Sequence, residues 1–179
     1  MKPLDHPAID AGTLRIRVNE LARAISRDYE ERDLLVLCVL KGALHFASDL
    51  LRALEVPAIV DFVRAKSYSG TAAGTVVELL VKPTESLAGR DVLVVEDILD
   101  TGGTAATLME YLSQQGAASV RLCVLLDKPS RRAHEVHADY VGFSIEDYFA
   151  VGYGLDYNEQ FRELPAIHRL DVGPIDGNR

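Results

Sequence analysis

Carboxylates and small residues are concentrated in one short stretch of this 179-residue chain, between positions 96 and 104. Glu96, Asp97 and Asp100 precede the loop Thr101-Gly-Gly-Thr104, in which glycines permit positive φ and backbone amides and threonine hydroxyls can converge on an anion. Acidic side chains would repel an isolated anion. A ligand with a phosphate at one end and a ribose diol at the other resolves this conflict, because carboxylates accept hydrogen bonds from hydroxyls.

The elements on either side of this loop follow from the apolar pattern. Residues 92 to 95 form a continuous apolar run, which is typical of a strand covered on both faces of a parallel sheet. The apolar spacing of residues 105 to 112 predicts a helix that begins near Thr104. The loop therefore joins a strand to a helix at the edge of a sheet where α/β proteins bind nucleotides.

The stretch Val94-Val-Glu-Asp-Ile-Leu-Asp-Thr-Gly-Gly-Thr104 resembles the phosphoribosyl pyrophosphate signature of type I phosphoribosyltransferases. Its acidic pattern is similar to the 6-oxopurine branch, the hypoxanthine-guanine phosphoribosyltransferases; the alternative is a generic nucleotide-binding unit. The resemblance implies an α/β fold with a central, mainly parallel sheet flanked by helices, and a flexible lid loop. It also implies one domain over residues 1–179, with a small hood from the N-terminal segment and roughly residues 128–179.

Two stretches upstream of this signature match further motifs of the family. Lys41-Gly42 ends an apolar run at residues 34 to 40, where an isolated lysine is equally well explained as a solvated loop residue. The resemblance implies that this corner lies by the pyrophosphate and that the Leu40-Lys41 bond can be cis. Ser67-Tyr68 lies in an unpatterned stretch, residues 66 to 74, that is expected to be a mobile hairpin tip or, by resemblance, a lid.

Two stretches downstream match the part of the family that binds the purine. Alone, residues 127 to 132 are a basic surface turn, but the resemblance implies that Lys128 donates to the 6-oxo group of the base. An ammonium only donates, so it favours an oxo group over the amino group of adenine. Within residues 148 to 162, an isolated phenylalanine is usually core and an isolated arginine a surface charge; by resemblance these residues have ligand-binding roles.

The resemblance predicts purine salvage, in which a 5-phosphoribosyl group moves from its pyrophosphate donor to N9 of hypoxanthine or guanine, with xanthine as a third candidate. Asp100 is the candidate general base at N7. The predicted donor-binding residues are Lys41, Gly42, Ser67, Tyr68, Glu96, Asp97, Thr101, Gly102, Gly103, Thr104, Arg132 and Arg162. The predicted base-binding residues are Lys128, Phe149 and Ala150, and the predicted Mg²⁺ ligands are Asp156, Glu96 and Asp97.

Two other functions are compatible with the same signature. A regulator could use the fold to sense the donor or a nucleotide without turnover, although it would be free to lose Lys128 and Phe149. A pyrimidine or adenine enzyme is disfavoured by Lys128. Gly103 stands where some relatives carry a longer or basic residue, so backbone amides must hold the phosphate there.

Composition limits the remaining classes. A net charge of −8 and a pI near 5.1 argue against a nucleic-acid surface, and no apolar run approaches the roughly 18 residues of a membrane span. Cys38 and Cys123 lie in apolar runs, which predicts core thiols and a cytoplasmic protein. Members of the resembling family are usually dimers or tetramers.

Further helices are expected within residues 9–32 and 43–54, and strands at 58–64, 75–81, 119–126, 138–143 and 164–170.

Overall fold

The computed structural model describes residues 6–71 and 74–171, and the side chains of residues 66–77 lie outside that description. The helices are α1 (Ala11–Asp28), α2 (Leu44–Ala53) and α3 (Gly103–Gln114). The strands are β1 (Leu34–Val39), β2 (Ile59–Thr71), β3 (Gly74–Val81), β4 (Asp91–Leu99), β5 (Ser119–Asp127), β6 (Tyr140–Ser144), β7 (Phe149–Val151) and β8 (His168–Leu170). None of the described helices is both long and apolar enough to cross a membrane.

The predicted central, mainly parallel sheet is confirmed. Six strands lie in the order β3-β2-β1-β4-β5-β6, and only the β2–β3 pair is antiparallel. A second, two-stranded sheet pairs β7 with β8. Next to it, the amides of Ala8 and Ile9 donate to the carbonyl of Ile167, so the N-terminal and C-terminal segments meet there.

The central strands β1, β4 and β5 are largely buried on both faces because helices cover each side of the sheet. One core packs α1 and α2 against Val36, Leu93 and Cys123, and the other packs α3 against Leu37, Val94 and Leu122. Alternate residues of each central strand therefore serve different cores. This explains why β1 and the first part of β4 have continuous apolar sequences.

Several boundaries differ from the sequence-based predictions. β4 runs four residues beyond the apolar run, because Glu96 and Ile98 still pair with β5. β2 continues through residues 66–71, which had been expected to lack regular structure, because its backbone pairs with β3. The final strand is only His168–Leu170, and β7 was not predicted at all. The tail after residue 171 lies outside the described residues.

Asp61, on β2, anchors the connector that leads into β4. Its carboxylate is 8% exposed and accepts hydrogen bonds from the amides of Phe62, Thr84 and Glu85 at 2.6 to 2.8 Å. Burial alone would raise the pKa of Asp61, but these amide hydrogen bonds outweigh it and leave the pKa below its ordinary value of 3.8.

We therefore expect Asp61→Asn to lower the free energy of unfolding at pH 7 by about 1–3 kcal/mol, because three amides lose a charged acceptor. A lowered carboxyl pKa stabilises the fold above pH 3.8, so the difference from the parent should shrink as the pH falls below that value. Urea unfolding at several pH values measures this. Glu20→Gln, which removes an exposed ion pair with Arg17, is the control and should change stability by less than about 0.5 kcal/mol.

Candidate functional site

Two carboxylates at the carboxyl end of β4 are withdrawn from solvent. Glu96 is 7% exposed, and its Oε2 atom has no hydrogen-bond partner within the described part of the chain. Burial, followed by the neighbouring Asp97, raises the pKa of Glu96 to about 8. Burial also raises the pKa of Asp97 to about 6, against the opposing effect of a hydrogen bond from the amide of Ile98. An unpartnered buried oxygen is costly, and hydroxyl donors or a cation from a ligand would satisfy it.

The Lys41-Gly42 corner lies directly against these carboxylates. A Cβ atom built on Gly42 would lie 1.8 Å from Oδ2 of Asp97, so the close approach requires glycine. The preceding Leu40-Lys41 peptide bond is cis, which agrees with the expectation drawn from the resemblance. The corner at the end of β1 and the acidic end of β4 therefore form one continuous surface.

The loop after β4 lines a cavity of about 260 Å³ together with the two carboxylates. Gly102 adopts φ +90° and precedes the first residue of α3. Gly103, for which positive φ had been considered, is instead the first helical residue. Thr101, Gly102, Thr104 and Ala105 line the cavity. The site combines acidic oxygens with the N-terminus of a helix, as the sequence predicted for a ligand with a diol and a phosphate.

A second cavity, of about 490 Å³, adjoins the first and shares Asp97, Ile98 and Asp100 with it. Lys128 is 5% exposed in its wall, and its amide donates to the carbonyl of Leu99 at 3.0 Å. Phe149 remains 37% exposed and meets Tyr157 edge to face at 5.4 Å, so it is not a core residue. The remaining lining residues are Arg131, Asp147, Tyr148, Ala150, Leu155, Asp156, Leu170 and Asp171.

Basic residues from distant parts of the chain meet around Glu159, which sequence analysis had not selected. Its Oε2 lies 2.9 Å from Nζ of Lys41 and 3.3 Å from a terminal nitrogen of Arg162. The same Arg162 nitrogen lies 2.8 Å from Oδ1 of Asp156. The left-handed backbone of Asn158, Glu159 and Phe161 folds this segment over the β1 corner. The sequence did not indicate such a turn, because positive φ is uncommon for residues other than glycine and leaves no periodic pattern.

Arg132 has a different environment from the one expected. Its guanidinium donates to the backbone carbonyl of Asp100 and to the carboxylate of Asp127, and it lines neither cavity. Arg131, which was not selected, lines the second cavity and donates from Nε to Oδ1 of Asp100 at 3.1 Å. Arg132 therefore stabilises the backbone of the loop after β4 from outside the two cavities.

Two sets of predicted residues have no complete test in the structure. Ser67 and Tyr68 lie on β2, paired with Val77 and Val76, but their side chains are outside the described residues. Within residues 6–71 and 74–171, no group of three or more His, Cys, Asp or Glu side chains is placed to hold a metal ion.

The model of the phosphoribosyl transferase domain family matches residues 9–158. The chain belongs to this family. A hypoxanthine phosphoribosyltransferase from Salmonella typhimurium is 39% identical over 173 residues, which are 95% of the chain and 97% of that protein. A hypoxanthine-guanine phosphoribosyltransferase from Mycobacterium avium is 42% identical over 170 residues, covering 91% and 84%. The crystal structure of a hypoxanthine phosphoribosyltransferase from Staphylococcus aureus is 36% identical, with a TM-score of 0.90 and coverage of 94% and 92%.

Some relatives of this phosphoribosyltransferase are much longer. The bifunctional protein TilS/HprT of Listeria monocytogenes serotype 4b is 44% identical over 160 residues, which are 89% of the chain but 25% of that protein. The chain therefore spans about a quarter of the length of these bifunctional relatives. The residues that line the two cavities fall within the matched domain at residues 9–158, except for Leu170 and Asp171.

The contact between Gly42 and Asp97 generates a prediction. Gly42→Ala would force the β1 corner and the acidic end of β4 apart, because the new methyl group occupies the position of the carboxylate. We expect kcat/KM for the phosphoribosyl donor to fall about 10²-fold, as for other small displacements of binding groups, with a folded protein by circular dichroism.

The control for Gly42 is Gly12→Ala in the first turn of α1. Its Cβ would also approach a carboxylate oxygen, that of Asp10, but at 3.0 Å and on the surface. Full activity of Gly42→Ala would mean that the corner and Asp97 move independently.

The raised pKa of Glu96 generates a second prediction. Between pH 4.5, the ordinary value, and about 8, the folded protein binds a proton that the unfolded chain releases, so stability falls as pH rises. Glu96→Gln removes this contribution to the pH dependence of stability. The stability of the variant relative to the parent should rise by on the order of 1–3 kcal/mol between pH 5 and pH 8, measured by urea unfolding. A relative stability that does not change with pH would contradict burial as the origin of the shift.

Proposed function

We propose that this phosphoribosyltransferase moves the 5-phosphoribosyl group of phosphoribosyl pyrophosphate to N9 of hypoxanthine or guanine in purine salvage. The observation that carries the proposal is a pair of adjoining cavities that share Asp97 and Asp100. One is lined by carboxylates and by the loop at the N-terminus of α3, and the other is lined by Lys128, a hydrogen-bond donor. Support also comes from the relatives of similar length, whose names are hypoxanthine and hypoxanthine-guanine phosphoribosyltransferases. Xanthine is a third candidate acceptor.

The smaller cavity suits the ribose and its 5-phosphate. Glu96 and Asp97 would accept hydrogen bonds from the two ribose hydroxyls, while the amides and hydroxyls of residues 101–104 would bind the phosphate. Lys41 and Arg162 would face the pyrophosphate after release from Glu159. The reaction passes through a centre with oxocarbenium character at C1 of the ribose. The protein contributes by holding the reactants in line and by placing fixed negative groups near the developing charge.

The larger cavity suits a 6-oxopurine. Phe149 offers an exposed ring face for stacking, and the ammonium of Lys128 would donate to the 6-oxo group. Ala150 would contribute backbone atoms to the edge of the base. Asp100 lines both cavities, which suits a general base that takes the proton from N7 as the bond to N9 forms.

One or two of the predicted carboxylates, Glu96, Asp97 and Asp156, would hold Mg²⁺ together with donor oxygens, since no three such side chains converge within residues 6–71 and 74–171. Their fit rests on the unpartnered Oε2 of Glu96 and on hard oxygen ligands, which Mg²⁺ prefers. The ion, when bound, neutralises charge on the leaving pyrophosphate. Asp156 already accepts from the amide of Glu159 and pairs with Arg162, so its orientation is set in advance.

An assay with purified protein, the donor, Mg²⁺ and each of five bases tests the proposal. Hypoxanthine and guanine should give nucleotide and pyrophosphate, while adenine and uracil should not, and chelation of Mg²⁺ should abolish turnover. Donor binding without turnover of any base would indicate a regulator instead. Preference for adenine or uracil would contradict the assignment of Lys128.

Asp100→Asn tests the general base. The amide cannot accept the proton, so kcat should fall about 10²- to 10⁴-fold, with the donor dissociation constant within about threefold of the parent. Stopped-flow or quench-flow turnover and calorimetric titration with donor separate the two quantities. Glu20→Gln, which removes an exposed ion pair on α1, is the control. A full-rate Asp100→Asn variant would refute the assigned role.

We also infer that the chain self-associates as a dimer or tetramer. The support is a set of large apolar side chains left 37 to 42% exposed on β2 and β3: Ile59, Val60, Phe62, Leu80 and Val81. Burial of such residues against a second copy would be favourable. Analytical ultracentrifugation of the parent and of Phe62→Glu tests this, and a monomeric parent would contradict it.

A cytoplasmic location is proposed on the state of the thiols. Cys38 and Cys123 are free and buried, each 1% exposed or less, and burial raises the pKa of Cys38 to about 12. Such thiols suit a reducing compartment. Cell fractionation with an antibody against the protein provides the test.

A further inference from the structure

Four charged side chains of alternating sign run along the wall of the larger cavity. The Nε of Arg131 donates to Oδ1 of Asp100 at 3.1 Å, and a terminal nitrogen of Arg131 lies 3.6 Å from Oδ2 of Asp147. The other oxygen of Asp147 lies 3.7 Å from Nζ of Lys128. The order is therefore carboxylate, guanidinium, carboxylate, ammonium, and all four residues line the cavity.

The backbone brings these residues together from three separate segments. The amide of Lys128 donates to the carbonyl of Leu99, which ties the turn at 128–132 to the end of β4. The amide of Ile145 donates to the carbonyl of Asp127, which places residues 145–147 beside the same turn. Within the turn, the amide of Arg131 donates to the carbonyl of Lys128. The charged series is thus part of a built wall.

The two ends of the series have proposed roles, but the two middle members have none. Asp100 would take the proton at N7 and Lys128 would donate to the 6-oxo group. These two atoms are neighbours on one edge of the purine ring, so the distance between the carboxylate and the ammonium determines whether both can be contacted at once. Arg131 and Asp147 connect the two groups that must be kept at that distance.

A purely structural role explains the middle pair poorly. The side chains of Arg131 and Asp147 are 45% and 51% exposed. Ion pairs as exposed as this contribute little to stability. They can, however, restrict the rotamers of a neighbouring group, and a binding group displaced by about 1 Å costs far more in rate than the ion pair contributes to folding.

We propose that Arg131 and Asp147 are positioning residues that match the spacing of Asp100 and Lys128 to N7 and the 6-oxo group of the base. This inference rests on the proposed function and names the residues that set its selectivity. Arg131 holds the carboxylate of Asp100 in one orientation. Asp147 holds Arg131 on one side and the ammonium of Lys128 on the other.

The test compares three single variants: Arg131→Gln, Asp147→Asn and Arg131→Lys. For the first two, kcat/KM for hypoxanthine should fall about tenfold, the size expected for loss of one well-aligned hydrogen bond, while KM for the donor stays within about twofold. Arg131→Lys keeps a cation and should recover part of the loss. Circular dichroism spectra and urea unfolding midpoints of all three variants should match those of the parent.

Base analogues separate positioning from a general effect on the cavity. At saturating donor, KM is measured for hypoxanthine, and inhibition constants against hypoxanthine are measured for unsubstituted purine, which lacks the 6-oxo group, and for 7-deazahypoxanthine, which lacks the N7 hydrogen-bonding group. Asp147→Asn should weaken hypoxanthine about tenfold but purine less than about twofold. Arg131→Gln should weaken hypoxanthine more than 7-deazahypoxanthine.

Arg32→Gln is the matched control, since Arg32 pairs with Asp91 at the opposite end of β4 at 3.4 Å and is similarly exposed, at 47%. It should not change any inhibition constant. Equal weakening of all three bases by Asp147→Asn or Arg131→Gln would overturn the inference. So would unchanged kinetics of both variants alongside strong effects of Asp100→Asn and Lys128→Met. If those two variants also retain full activity, the proposed function itself fails.

Discussion

The parallel pairing of β1, β4 and β5 is the constraint on which the site depends. Because these strands run in the same direction and are in register, their carboxyl ends emerge side by side at one edge of the sheet. β1 ends just before the Lys41-Gly42 corner, β4 ends within the acidic stretch, and β5 ends at Asp127, next to Lys128. Three segments separated by many residues therefore meet at one edge of the sheet. The segments after β4 and β5 line the two cavities, and the Lys41-Gly42 corner contacts Asp97 beside them, as is general for ligand sites in open α/β sheets.

The same geometry sets the electrostatics. Two adjacent carboxylates are removed from water by cores on both faces of the sheet, and burial raises the pKa of each. The folded protein therefore carries the free-energy cost of burying these carboxylates before a ligand binds. Such a cost is expected where polar groups are preorganised for a ligand that forms hydrogen bonds with them. The positively charged groups lie at the periphery, where Lys41 and Arg162 both form ion pairs with Glu159. A more strongly binding anion would compete with Glu159 for them.

The segment after β7 completes the site by irregular backbone. Left-handed conformations at Tyr153, Asn158, Glu159 and Phe161 allow it to turn several times in a short distance. These turns place Asp156 and Arg162 beside the end of β4 while Phe149 and Tyr157 remain at the mouth of the larger cavity. The side chains predicted to bind ligand are thus carried by a segment whose backbone is held by its own hydrogen bonds, such as that from Arg162 to the carbonyl of Gly154.

The sequence by itself determined the strand, loop and helix around residues 92–112, the parallel sheet and the family. Continuous apolar runs, helical spacing and a glycine-rich loop are local signals, and each can be recognised in the sequence without knowledge of the fold. Tertiary structure alone decided that Glu96 has an unpartnered buried oxygen, that Gly42 touches Asp97, and that Arg131 rather than Arg132 lines the larger cavity. It also decided that β2 continues through residues 66–71 and that Glu159 joins two cations. The reason is that burial, pairing and charge contacts arise between residues distant in the chain, where neither spacing nor composition carries information.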